Sequence, residues 1–229
     1  MKRIAFVVLV LATAACQGAI SDAAEAPPMV VAPIEGGQLS SSFAATGAFV
    51  GGGTVFCTGT LVSPTKVLTA AHCFNQVSAS KVTQASFVIG TDPMAPGISV
   101  PLAGKSTHPG FWGTLGVNDV AIITLSAPIE SVLPVKLSGD ASGLVGDSIT
   151  LVGYGKTAAN GDSTGIRRET NVPVIMVNDN TIRYDFQGTG ACHGDSGGPA
   201  FYQAGSGAAQ VGVTSGGAEN GDCRDDGLY

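Results

Sequence analysis

Cys192-His193-Gly194-Asp195-Ser196-Gly197-Gly198-Pro199 sets a serine among glycines, with an acid directly before it and a cysteine upstream. A serine hydroxyl is a weak nucleophile at neutral pH. It needs a neighbouring base, and the base needs an orienting acid. Thr69-Ala70-Ala71-His72-Cys73 and Asn118-Asp119-Val120-Ala121 supply candidates for both. Asp119 heads the apolar run Val120–Leu125, where a carboxylate needs a partner, and His72 is the obvious one. The small residues around His72 favour a catalytic over a structural histidine. Glycines beside Ser196 permit backbone conformations that a side chain forbids. The amides of Gly194 and Ser196 can then converge on one point and hold a developing oxyanion.

Chain order separates the templates that share these groups. Gly194-Asp195-Ser196-Gly197-Gly198 also fits the nucleophile elbow G-x-S-x-G, whose order is serine, acid, histidine. The three histidines, His72, His108 and His193, all precede Ser196, which excludes that order. The subtilisin order puts the acid before the histidine, and no comparable motif supports it. The order His72, Asp119, Ser196 fits the chymotrypsin-type template. With three motifs in that order, the stretch from 34 to 229 resembles the chymotrypsin/trypsin family of serine endopeptidases.

The resemblance implies an all-β fold of two antiparallel six-stranded β-barrels, with the active site in the cleft between them. The N-terminal barrel would span about 34–127 and the C-terminal barrel about 140–229, with Ala127–Gly139 as the crossover. It implies disulfides Cys57–Cys73 and Cys192–Cys223. It matches Ile34-Glu35-Gly36-Gly37 to the mature N-terminus, whose freed amine inserts beside the acid before the serine, here Asp195. No Lys or Arg stands between Ile4 and Thr65, and Pro33 precedes Ile34, so a trypsin-type cut is absent. Another protease makes the cut, Asp195 finds another partner, or the chain stays a zymogen. Val211–Gly217 is similar to the strand that pairs with the substrate backbone. Ser215 there reaches Asp119, and Gly216 stands where the family has tryptophan, leaving one pocket wall less defined. Gly190 would form the pocket floor. With Gly217 and Gly227 it implies an uncharged pocket for an apolar side chain, unless Asp225 or Asp226 enters and attracts Arg or Lys. His193 is read as a rim residue. No cofactor or metal is expected. The family's C-terminal helix has no counterpart before Tyr229, which reads as truncation.

The elements that must position these groups are short and apolar. The 229 residues are 44% hydrophobic and include 33 glycines. Apolar runs punctuated by Gly, Pro, Asn and Asp read as an all-β chain with many turns. Strands are expected at Phe49–Val50, Thr54–Phe56, Val82–Gly90 and Ile98–Leu102. A hairpin from Cys57 to Thr69 would deliver His72. Ser148–Gly155 would begin the second barrel, Lys156–Thr170 would be a surface loop, and Val172–Val177 with Thr181–Phe186 would form a hairpin. His108-Pro109-Gly110-Phe111 is read as a structural turn and Trp112 as a packing residue.

Lys2 and Arg3 followed by the uncharged apolar run Ile4–Ala15 have the shape of a signal peptide, too short for a mature membrane span. Small residues before Cys16 resemble a bacterial lipoprotein signal, with an ordinary signal cut as the alternative. Of five cysteines, the two family pairs leave Cys16 over, which lipidation would explain. A zinc site lacks C-x-x-C or H-x-x-x-H spacing. Residues 16–33 read as a flexible tether. The net charge of −6 becomes −8 once Lys2 and Arg3 are removed. That disfavours nucleic acid and anionic membranes as partners, leaving a membrane only through Cys16. The expectation is an exported bacterial protein, secreted or held in the cell envelope, that cuts a protein or peptide substrate. A catalytically silent binding homologue and a serine esterase are the alternatives.

Overall fold

The computed structural model describes residues 34–75, 77–113, 115–157, 165–178, 180–204, 207–216, 223 and 227–228. The expected signal and tether, Cys16, Gly217, Asp225 and Asp226 lie outside the described residues. Among the described residues, thirteen strands and one helical turn follow in order. They are β1 (Gln38–Leu39), β2 (Thr46–Gly51), β3 (Thr54–Ser63), β4 (Lys66–Thr69), α1 (Ala79–Val82), β5 (Ala85–Ile89), β6 (Ile98–Thr107) and β7 (Ala121–Leu125). After a long connection come β8 (Ser148–Gly153), β9 (Arg168–Val177), β10 (Ile182–Tyr184), β11 (Pro199–Ala204), β12 (Gly207–Val213) and β13 (Gly227–Leu228).

The first half closes into a six-stranded antiparallel barrel in the order β2-β3-β4-β7-β6-β5. Gly52 and Gly53, at φ 60° and 77°, make the two-residue turn that joins β2 to β3. Both positions need positive φ there, which is why glycines occupy them. Phe49, Leu61, Val67, Phe74, Phe87, Leu102 and Ile123 fill the barrel. The Phe49 ring meets Phe74 edge-on at 5.0 Å and Phe87 at 5.2 Å. In β7, Ala121, Ile123 and Leu125 are buried while Ile122 and Thr124 are half-buried, the alternation of a barrel strand.

The second half forms a seven-stranded antiparallel sheet with the path β12-β11-β8-β9-β10-β13, and β1 pairs with β9. Its core is Ile34, Ile149, Leu151, Val172, Val174, Ile182 and Tyr184. A closed barrel and a second sheet, almost without helix, are the architecture of the chymotrypsin-like double barrel.

Several boundaries differ from the expected ones. Ala79–Val82 is a helical turn, and the strand begins only at Ala85. Buried Val82 anchors that turn against the barrel core. The strand after Ile98 runs on to Thr107. Lys156–Thr170 is not wholly a surface loop, because β9 starts at Arg168. Arg167 and Arg168 are 4% and 7% exposed. Arg167 donates to the carbonyls of Ser40 and Thr46, and Arg168 pairs with Leu39 of β1. Trp112 is no packing residue, since it is 90% exposed on the turn after Phe111.

Tyr154 ties the two halves together. Its fully buried hydroxyl faces the carbonyls of Gly90 and of Thr46, the latter at 3.0 Å. Burial pushes its pKa up to about 12, against the nearby Arg167 and the bond to Gly90, so it stays a donor. Tyr154→Phe leaves buried carbonyls short of a donor and should cost about 1–2 kcal/mol. Urea unfolding should show the lowered midpoint, and an unchanged midpoint would contradict this role.

Candidate active site

Strand pairing brings the candidate base and acid together. Thr69 at the end of β4 lies opposite Ala121 at the start of β7. His72 follows the first and Asp119 precedes the second, so residues far apart in sequence meet at one end of the barrel. His72 Nδ1 lies 2.7 Å from Asp119 Oδ2, and the His72 amide donates to Oδ1 at 2.8 Å. Ser215 Oγ donates to the same Oδ2, and Oγ accepts the Gly116 amide at 2.7 Å. The His72 side chain is 26% exposed, but that of Asp119 only 1%. Burial opposes ionisation of Asp119. The bonds from the His72 ring, Ser215 and the His72 amide outweigh it and hold the carboxyl below the ordinary carboxylate range.

The Cys57–Cys73 disulfide pins the turn that carries His72. Closing so short a loop stabilises by about 3 kcal/mol in the chain-entropy model. Cys73 Sγ lies 3.9 Å from His72 Nε2 and 3.7 Å from the Ser196 carbonyl oxygen, so both residues approach one sulfur. No hydrogen bond joins Ser196 Oγ to Nε2 among the described residues. Such contacts commonly tighten only when substrate binds. Cys57, His72 and Cys73 form the one candidate metal cluster among the described residues. Its two sulfurs are bonded to each other and offer no thiolate.

The serine loop is fixed carbonyl by carbonyl. The His193 oxygen accepts the Lys156 amide at 2.7 Å, and the Gly194 oxygen accepts Thr58 Oγ1 at 2.8 Å. The Asp195 oxygen accepts the Gly198 amide at 2.8 Å, and the Ser196 oxygen accepts the Thr58 amide at 2.8 Å. In a trans peptide the N–H points opposite to the carbonyl. The anchored His193 and Asp195 carbonyls thus aim the Gly194 and Ser196 N–H groups the other way. Gly197, at φ 81°, lies so close to the barrel that a Cβ would sit 2.0 Å from Thr69 Oγ1. The second disulfide, Cys192–Cys223, holds the start of this loop.

Asp195 is 1% exposed and packs against Gly153 and Gly155, where a Cβ would overlap its carboxyl. Its oxygens accept the amides of Gly155 at 2.7 Å and Cys192 at 2.9 Å. Among the described residues the Asp195 carboxyl is thus met by backbone amides. Ile34 is fully buried in the apolar core of the second sheet.

The expected pocket residues are placed as follows. Gly190 pairs with Glu35, and a Cβ on it would meet Tyr184 Oη at 2.7 Å and Phe186 at 2.8 Å. Gly227 pairs with Tyr184, and a Cβ there would overlap the ring. The glycines at 190 and 227 thus make room for Tyr184, whose Oη accepts the Ala191 amide at 2.8 Å. Gly216 faces Leu115, whose Cδ1 would lie 2.9 Å from a Cβ at that position. His193 is exposed at the edge. Sequence reasoning did not single out Thr58, Tyr184 or Leu115. A threonine inside a strand and a tyrosine in a hairpin carry no local signal of what lies across the fold.

The family model described as Trypsin matches residues 35–229. A trypsin of Saccharopolyspora erythraea is 30% identical over 166 residues, covering 64% of this chain and 70% of the relative. A brachyurin of Leptuca pugilator is 29% identical over 180 residues, 72% of this chain and 77% of the relative. A glucanase inhibitor protein 4 of Phytophthora infestans is 32% identical over 170 residues, 68% of this chain and 65% of the relative.

Burial pushes the Asp195 carboxyl up to about 7, against the two backbone bonds from Cys192 and Gly155. An unfolded aspartate titrates near 3.8. Between these values the folded chain holds a proton that the unfolded chain has lost. The stability this contributes is full below about pH 4 and is lost as pH rises towards about 7. Asp119 acts oppositely, and its contribution is lost as pH falls below its ordinary value. Urea midpoints should therefore fall as pH rises through the Asp195 window, and Asp195→Asn should flatten that slope. A wild-type midpoint that climbs through this window would contradict the buried, neutral acid.

Proposed function

We propose, for a chain that belongs to the trypsin family of serine proteases, that its endopeptidase chemistry runs through His72, Asp119 and Ser196. The observation that carries the reading is the buried Asp119 carboxylate bound to His72 Nδ1 at 2.7 Å. Ser196 Oγ attacks the scissile carbonyl carbon, and His72 Nε2 takes the hydroxyl proton. Asp119 keeps the Nδ1–H tautomer in place and stabilises the imidazolium without taking a proton itself. The Gly194 and Ser196 amides bind the oxyanion of the tetrahedral intermediate. The imidazolium then protonates the leaving amine. Water, activated by the same imidazole, releases the acyl group and restores Ser196. The carbonyl anchors on residues 193 and 195 support this reading, because they aim both amides without motion during the reaction.

Gly190, Ser215, Gly216, Gly217 and Gly227 line the substrate side, with Val211–Gly217 pairing with the peptide backbone. The Tyr184 ring behind Gly190 and Gly227 makes the primary pocket uncharged and shallow. It suits a small or medium apolar side chain over Arg or Lys. Once the chain is cut before Ile34, the freed amine acts with Asp195 in shaping the serine loop. A silent binding homologue would have no need for a buried acid held by an imidazole and a serine. Esterase activity alone would appear as turnover of esters without amides.

Cleavage of a peptide library is the test. Ser196→Ala and His72→Ala should each lower kcat by about 10⁴-fold or more, and Asp119→Asn by about 10⁴-fold. Cleavage should fall after apolar residues. Unchanged rates in Ser196→Ala would contradict the assignment, and cleavage after Arg and Lys would contradict the pocket.

The two disulfides fit an extracellular protein. Residues 1–15 act as a bacterial lipoprotein signal and 16–33 as a tether, with Cys16 carrying the lipid. Radiolabelled palmitate should enter the chain when it is expressed in bacteria and be lost in Cys16→Ser. Equal labelling of both would contradict an anchor at Cys16.

A further inference from the structure

Thr58 of β3 belongs to the first barrel, yet its polar atoms reach the serine loop of the other half. It is fully buried. Its amide donates to the Ser196 oxygen at 2.8 Å. Its Oγ1 donates to the Gly194 oxygen at 2.8 Å and accepts the Tyr154 amide at 3.2 Å. Its own carbonyl accepts Thr69 Oγ1 at 2.8 Å. Every hydrogen-bonding group of the residue is thus engaged across or beside the cleft.

Two of the four anchored carbonyls in the loop, those of Gly194 and Ser196, depend on this one residue. The amide anchor survives any substitution except proline, because it is backbone. The Gly194 anchor is a side-chain bond and exists only while position 58 carries a hydroxyl. Gly194 is at φ 99° and has no Cβ, so its own conformation is weakly restrained. Something outside the residue must fix its peptide planes, and Thr58 Oγ1 fixes the one on its C-terminal side.

We propose that Thr58 is a positioning residue for the oxyanion site: by holding the Gly194–Asp195 peptide, which joins the two peptides that carry the Gly194 and Ser196 N–H groups, it keeps those amides in their converging directions. The proposal rests on the reading of Ser196 as nucleophile. Thr58 touches neither substrate nor the reacting atoms. Its effect falls on the transition state, where the oxyanion exists, and not on ground-state binding of the peptide. Removing a direct oxyanion donor costs about 10²–10³ in kcat, and loosening one through its neighbour should cost about tenfold.

The test compares wild type with Thr58→Val, Thr58→Ala and Thr58→Ser on a small amide substrate and a peptide boronate. Thr58→Val keeps the branched shape and lacks the hydroxyl. It should lower kcat about tenfold with KM within about twofold, and weaken boronate inhibition in parallel. Thr58→Ser keeps the hydroxyl, loses a methyl, and should restore kcat to within about threefold. Should the valine variant fail to fold, the alanine and serine pair gives the same comparison. A purely packing role would make Thr58→Ser as poor as Thr58→Ala, which would overturn the proposal. So would full kcat in Thr58→Val or a change confined to KM. A wild-type chain inert to both substrate and boronate would remove the reading on which the proposal stands.

Discussion

His72 sits in the turn after β4 of the barrel and Ser196 in the loop before β11 of the second sheet, so the proposed chemistry between them requires the two halves to be held in register. The bonds that do this converge on Thr58 and Tyr154. Thr58 binds the Ser196 and Gly194 carbonyls and the Tyr154 amide, and Tyr154 returns its hydroxyl to Gly90 and Thr46 of the barrel. These are buried hydrogen bonds, where leaving one unmade costs more than making it gains. The cleft is therefore a polar seam between two apolar cores, and its geometry is set by these buried bonds.

The same seam explains the glycines. Gly153, Gly155 and Gly197 are places where a carboxyl or a barrel strand takes the volume of a Cβ. The serine loop can thus lie flat against the first barrel and fold Asp195 beneath itself. The arrangement buries an acid with no cation beside its carboxyl in the described contacts. Asp195 meets that constraint with two amide donors and a raised pKa, and Asp119 meets it with three hydrogen bonds and a lowered one. Two buried aspartates in one site thus lean opposite ways, because burial outweighs the two amide donors at Asp195 while the bonds from His72 and Ser215 outweigh burial at Asp119.

Much of this was legible in the sequence because the chemistry requires rare residues in a fixed order. Three histidines, all before Ser196, left a single order open. The all-β reading followed from short apolar runs between glycines and prolines. What was not legible depends on contacts across the fold. Lys156–Thr170 read as a surface loop, but Arg167 and Arg168 within it are buried against carbonyls and a strand far away in sequence. Trp112 read as core because tryptophan usually is, and nothing local shows that its turn faces outward. Gly190 read as an open floor, because the Tyr184 ring that fills the space comes from a different strand.

The most direct test of the account is labelling of the folded chain with a fluorophosphonate, with the modified peptide located by mass spectrometry. The reagent reacts with a serine activated by a base beside a formed oxyanion site. The account predicts one label, on Ser196, that disappears in His72→Ala. No label on the folded wild-type chain, or a label on Ser196 that survives loss of the imidazole, would contradict it.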